Sequence, residues 1–98
     1  MTVYCFDIDG TICSQEKPEN YSKAKPNWDI IKKINELYDR NHRIYLFTGR
    51  HMQKEEVTKK WLTKHRVKYH HLFFGKPVAD VYIDDKSITP ENFLKKQE

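Results

Sequence analysis

Asp7, Asp9, Thr48, Lys76, Asp84 and Asp85 each border a short apolar run of this 98-residue chain. In a β-strand, residues i and i+2 face the same way, so Asp7 and Asp9 can address one site while Ile8 points elsewhere. Gly10 lets the chain turn away beneath them. Alone, the stretch is also an ordinary strand-to-turn transition, because Asp and Gly are common turn residues. The downstream residues decide the matter. Carboxylates about 4 Å apart repel by roughly 4 kcal/mol per pair at an effective dielectric near 20, so several in one cleft require a cation. The set offers carboxylates rather than thiolates or imidazoles, which suits a hard metal such as Mg²⁺. Mg²⁺, Lys76, Thr48 and exposed backbone amides together make a receptor for a phosphoryl group.

These residues reach one place only if strands deliver them. Val3, Tyr4, Cys5 and Phe6 form a continuous apolar run, the pattern of a fully buried parallel strand. Residues 43–48 repeat it with Ile44, Tyr45, Leu46 and Phe47 before Thr48, Gly49 and Arg50. Residues 70–74 give a third candidate, and 78–85 a fourth that ends in Asp84 and Asp85. Between the first two lies a helix opened by Pro26 and Asn27, with Asn27 as cap and Ile30, Ile31, Ile34, Leu37 and Tyr38 on one face. Residues 54–65 predict a second helix, with Val57 and Trp61 as its apolar stripe and Glu55–Lys59 and Glu56–Lys60 as i,i+4 pairs. Thr89 and Pro90 cap a short terminal helix carrying Phe93 and Leu94. Residues 13–26 lack periodicity and read as a loop or short flap above the acids. Alternating strands and helices predict a three-layer α/β/α sandwich on a parallel, Rossmann-like sheet, with ligands outside the carboxyl ends of the strands.

The length allows one domain over residues 1–98. With 38% hydrophobic and 33% charged residues, the composition is globular, and the longest apolar runs are far too short to span a bilayer. The first apolar run ends in Asp7 after four residues, which excludes a secretory signal and makes the cytoplasm the expected compartment. Cys5 and Cys13 are not expected to pair there, and the sequence shows no cationic partner for Cys13. His70 and His71 are adjacent, so a strand points them to opposite faces and a shared zinc ion is not expected. The net charge of +4 is a mild bias. Lys59, Lys60, Lys64, Arg66 and Lys68 read as a solvated face rather than a nucleic-acid groove.

Asp7-x-Asp9-Gly-Thr, Thr48 behind a strand, Lys76-Pro and the Asp84-Asp85 pair resemble the four motifs of the haloacid dehalogenase superfamily of phosphatases. The resemblance covers almost the whole chain. It implies that Asp7 is the nucleophile and is phosphorylated, that Asp9 protonates the leaving oxygen and then activates water, and that Thr48 and Lys76 hold the transferring group. It also implies Mg²⁺ ligation by Asp7, the Asp9 carbonyl, Asp84 and Asp85, with Ile8, Gly49 and Arg50 at the substrate. Members usually carry a cap domain, for which neither residues 13–26 nor 50–75 leave room. The chain therefore resembles capless members, in particular small phosphatases of capsule and surface-polysaccharide synthesis. That resemblance implies a small sugar or polyol phosphate as partner, no membrane, and a second copy of the chain as the candidate substitute for the cap. Thr48-Gly49-Arg50 also resembles the second motif of polynucleotide 3′-phosphatases, which makes a nucleic-acid end the alternative substrate and a non-catalytic phosphate-binding module the third.

Overall fold

The computed structural model describes residues 1–75, 79–83 and 93–94. The apolar runs become four strands, β1 (Val3–Asp7), β2 (Arg43–Phe47), β3 (His71–Phe73) and β4 (Val81–Ile83). They form one parallel sheet in the order β3-β2-β1-β4. The run that carries the first acids is thus interior, with Cys5 opposite Tyr45 on one side and Tyr82 on the other. The chain winds from β1 through β2 to β3 in one direction and then returns to the far side of β1. The carboxyl end of β1 is therefore the place where strand order reverses, and where open α/β sheets take their ligands.

Helix α1 (Trp28–Asp39) begins as its cap residue predicts, for the Asn27 side chain accepts the Ile30 N–H at 3.4 Å. It buries Ile30, Ile31, Ile34 and Leu37, each worth about 1.5–3 kcal/mol of apolar burial. Helix α2 (Glu55–Lys64) follows a 3₁₀ turn (Met52–Lys54) and buries Thr58, Trp61 and Leu62. Its inner face is rotated from the expected stripe: Val57 is half-buried, and the polar Thr58 takes a buried place.

Successive right-handed crossovers in one direction put their helices on the same side of a sheet. Accordingly Ile30, Ile34, Trp61 and Leu62 join Phe6, Ile44, Leu46 and Ile83 in one buried cluster, with Phe93 edge-on to Phe6 at 5.5 Å. The α/β class and parallel Rossmann-like sheet agree with the sequence, while both described helices and Phe93 serve one of its two faces. On the other face Tyr45 meets His71 and Phe73 at 5.4 and 5.2 Å.

The segment expected as a flap contains a 3₁₀ helix (Pro18–Lys23). Of the strand expected over residues 78–85, residues 79–83 are described, and Val81–Ile83 of them are strand. Lys76, Pro77, Val78, Asp84, Asp85, Thr89 and Pro90 lie outside the described residues. No described helix is long and apolar enough to cross a membrane.

Candidate active site

The parallel register sets Asp7 opposite Phe47, which brings Ile8 level with Thr48 at the ends of two adjacent strands. Ile8 extends the ladder by one bond, its N–H donating to the Phe47 carbonyl at 3.0 Å. Its own carbonyl then accepts from Thr11, Ile12 and Cys13, coiling the chain into a tight turn. Gly10 takes a φ of +86° in that turn, a conformation that favours glycine. Ile8, expected at the substrate, is instead a core residue: its side chain is buried and its N–H is committed to β2. The alternation that buries it turns Asp7 and Asp9 outward.

Asp9 is held by four hydrogen bonds. Thr48 Oγ1 donates to its Oδ2 at 2.9 Å, Arg50 Nε donates to both oxygens at 3.0 and 3.2 Å, and Arg50 Nη2 donates to Oδ1 at 2.8 Å. A planar guanidinium suits such a two-point grip on a carboxylate. Thr48 reached the site as expected, but its hydroxyl proton serves Asp9 and its oxygen accepts the Arg50 backbone N–H at 3.1 Å.

Arg50 departs most from expectation. Placed at the substrate by the sequence, its side chain is only 3% exposed. Nη1 donates to Thr58 Oγ1 at 3.0 Å, and Thr58 in turn donates to the Lys54 carbonyl at 2.8 Å, which fixes the threonine as an acceptor toward the arginine. The Tyr21 ring lies over the guanidinium carbon, 3.7 Å from it. Tyr21 and Thr58 had no motif to mark them. Thr58 could have been suspected from a hydroxyl falling on the inner side of an amphipathic helix, next to Trp61.

Cys13 does have a cationic neighbour, since Arg50 Nη2 is 3.8 Å from its sulfur. The thiol is nevertheless pushed up to about 12, chiefly by burial and then by the Asp9 charge, and Arg50 offsets only part of this. Such a thiol is not a nucleophile.

Asp7, Asp9, Gln15, Glu16, Tyr21, Gly49 and Arg50 line a cleft of about 290 Å³. Gly49 leaves its side open, with no atom within 4 Å of where a Cβ would stand. The oxygen donors there, the Asp7 carboxylate and an Asp9 carbonyl that accepts from Gln15 at 3.4 Å, fit a hard cation such as Mg²⁺. Among the described residues no group of three or more His, Cys, Asp or Glu side chains forms a metal cluster. Asp84 and Asp85, the further expected ligands, and Lys76 lie outside them.

A family profile described as the polynucleotide kinase PNKP phosphatase domain matches residues 1–94. The crystal structure of an MCSG target from Vibrio cholerae superposes with a TM-score of 0.73 at 28% identity, covering 96% of this chain and 88% of that one. A chain in the Pnkp1/Rnl/Hen1 complex superposes with a TM-score of 0.64 at 20% identity, and one in the Pnkp1/Rnl/Hen1 RNA repair complex with 0.63 at 22%. Those two share the fold. The match takes in 98% of this chain but 32% and 30% of theirs, so this chain spans about a third of their length. No curated protein matches the sequence significantly.

Proposed function

Because the chain belongs to the polynucleotide kinase phosphatase domain family of the haloacid dehalogenase superfamily, and is a phosphatase, we propose that it hydrolyses small phosphomonoesters through a phosphoaspartyl intermediate on Asp7. The observation that carries the reading is the held carboxylate of Asp9 beside Asp7 in one cleft. An Asp7 carboxylate oxygen forms the new bond to phosphorus as the ester P–O bond breaks. The leaving oxygen takes a proton from Asp9 as the bond breaks. The negative charge that develops on Asp9 is met by Arg50 and Thr48, donors already in place and mostly shielded from water. Asp9 then removes a proton from water as that water attacks the phosphoaspartate, releasing inorganic phosphate and restoring Asp7. Mg²⁺, held by Asp7, the Asp9 carbonyl, Asp84 and Asp85, would offset the charge on the nucleophile and the phosphoryl group. Lys76 would add a second positive charge.

A sugar or polyol phosphate suits the cleft better than a nucleic-acid end. Arg50, the cation in the described lining, is committed to Asp9, Thr58 and Tyr21, and the rim adds the acid Glu16. Such a lining offers little to the neighbouring phosphates of an oligonucleotide. With a single 3₁₀ helix between β1 and α1, we place the enzyme among capless phosphatases. The second reading, a polynucleotide 3′-phosphatase, is favoured by the family profile.

Two measurements test the proposal. Asp7→Asn should abolish turnover, and wild-type enzyme quenched in acid should carry a hydroxylamine-labile phosphoryl group that the variant lacks. A folded variant that keeps most of the rate would remove Asp7 from its role. Substrate choice is read from kcat/KM on sugar and polyol phosphates against a 3′-phosphorylated oligonucleotide at two salt concentrations. Oligonucleotide turnover about tenfold faster or more, falling steeply with salt, would select the second reading.

A further inference from the structure

The geometry points to Tyr21 as a positioning residue for acid–base catalysis: its ring closes the open face of Arg50 and so holds the guanidinium edge against Asp9. This rests on the assignment of Asp9 as the proton donor. A guanidinium can be restrained in its plane by acceptors and out of its plane only by something stacked on it. In the plane, Asp9 takes Nε and Nη2, and Thr58 takes Nη1. Out of the plane, Tyr21 stands 3.7 Å from the guanidinium carbon. Cation–π attraction is strongest where water is excluded, and the Arg50 side chain is 3% exposed.

Tyr21 can do this because its segment is tied down on both sides. Within the 3₁₀ helix, the Tyr21 carbonyl accepts the Ala24 N–H at 3.3 Å. The Ala24 carbonyl accepts the indole N–H of Trp61 at 2.9 Å in a buried contact. Beyond it, Ser14 and Lys25 exchange two bonds of 2.9 Å, and the Asn27 N–H reaches the Ile12 carbonyl at 2.8 Å. Thr58 and Trp61 are three residues apart on α2, so they share a face of the helix. One rigid element thus fixes the guanidinium through Thr58 and the tyrosine segment through Trp61. The segment expected to hang over the acids as a flap is built as a wall.

Tyr21 also borders the cleft, so a role as a substrate platform must be separated from a role through Asp9. Leaving groups separate them. A nitrophenolate departs without a proton, whereas an alkoxide needs one from Asp9. Loosening Asp9 therefore lowers kcat/KM for alkyl phosphates selectively, since kcat/KM ends at leaving-group departure and excludes the later attack of water on the phosphoaspartate, while loss of a platform lowers kcat/KM alike for both esters.

The experiment compares kcat/KM of the wild type, Tyr21→Phe, Tyr21→Leu and the longer Tyr21→Met on 4-nitrophenyl phosphate and on an alkyl phosphate, with folding checked by circular dichroism. General acids contribute about a hundredfold or more. A misplaced one should cost Tyr21→Leu or Tyr21→Met roughly tenfold in kcat/KM on the alkyl phosphate and less than about threefold on the nitrophenyl ester, with Phe retaining most of both values. Equal losses of kcat/KM on the two esters, or Phe as damaging as Leu, would each overturn the inference. So would unchanged rates in all variants beside an active wild type. A wild type inactive on every phosphomonoester would instead remove the phosphatase reading beneath it.

Discussion

Asp9→Asn, the natural way to disable the proposed proton donor, should also destabilise the fold. Arg50 is 3% exposed and Asp9 16% exposed in their ion pair, so the substitution leaves a buried guanidinium facing a neutral amide. Removing one partner of a buried pair costs about 3–5 kcal/mol. The partial exposure of Asp9, and the hydrogen bonds that the one Asn oxygen can still accept, recover about 1 kcal/mol of that. A loss of about 2–4 kcal/mol remains. At roughly 4–8 °C per kcal/mol for a domain of this size, the melting temperature should fall by about 10 °C or more. Thermal and urea unfolding followed by circular dichroism measure it. The cause is isolated by a cycle with Arg50→Met, which removes the stranded charge. The double variant should lose about 2 kcal/mol less than the two single losses added together. If Asp9→Asn melts within about 2 °C of the wild type, or if the losses add, Arg50 is not held by the Asp9 charge and the account of the site is wrong at its centre.

Three other outcomes can be checked directly. Activity should vanish in excess chelator and return with Mg²⁺, and Asp84→Ala should raise the Mg²⁺ concentration needed for half-maximal rate; full activity in chelator would contradict the charge argument for the clustered acids. Cys13, with its thiol pushed up to about 12, should react with a disulfide reagent at pH 8 about a thousandfold more slowly in the native than in the denatured protein. His70 is held below its ordinary value, first by burial and then by Arg43 and His71. The fold therefore favours the neutral ring: its contribution is fully present above about pH 6.5 and is lost as pH falls through the lower folded value. The drop in melting temperature between pH 7.5 and 5.5 should shrink in His70→Gln, which keeps an acceptor for the Ile44 N–H.

Local pattern made the scaffold legible. The four apolar runs became the four strands, and α1 buries the stripe its spacing predicts, because both signals depend on residues a few positions apart. The i,i+4 pairs Glu55–Lys59 and Glu56–Lys60 form for the same reason, at 2.8 and 3.1 Å. What spacing could not show is how long-range charge is partnered. Arg50 reads as an exposed cation on a loop until Asp9, 41 residues earlier, is seen to hold it. Cys13 lacked a cation in sequence and has one in space, yet burial outweighs it. The inner face of α2 was misplaced by one position because Thr58, polar by type, is buried by its partner Arg50 and not by hydrophobicity.

The same contacts explain how the proposed proton donor is held steady. Parallel register alone brings Thr48 level with Ile8, so one hydroxyl reaches Asp9 from the neighbouring strand without any loop having to be placed. The second restraint needs a long side chain, and a long side chain needs its own restraints, which α2 supplies through Thr58 and the 3₁₀ helix through Tyr21. Each layer is one contact further from the sheet. Arg50 is therefore a strut and not a phosphate ligand, and its charge is consumed inside the protein. On the proposed mechanism, attraction for the dianionic substrate is left to Mg²⁺ and to Lys76, the two cations assigned to the phosphoryl group. On that reading substrates are distinguished by what fits a cleft of about 290 Å³ around that group, and little is gained from charges farther along the ligand.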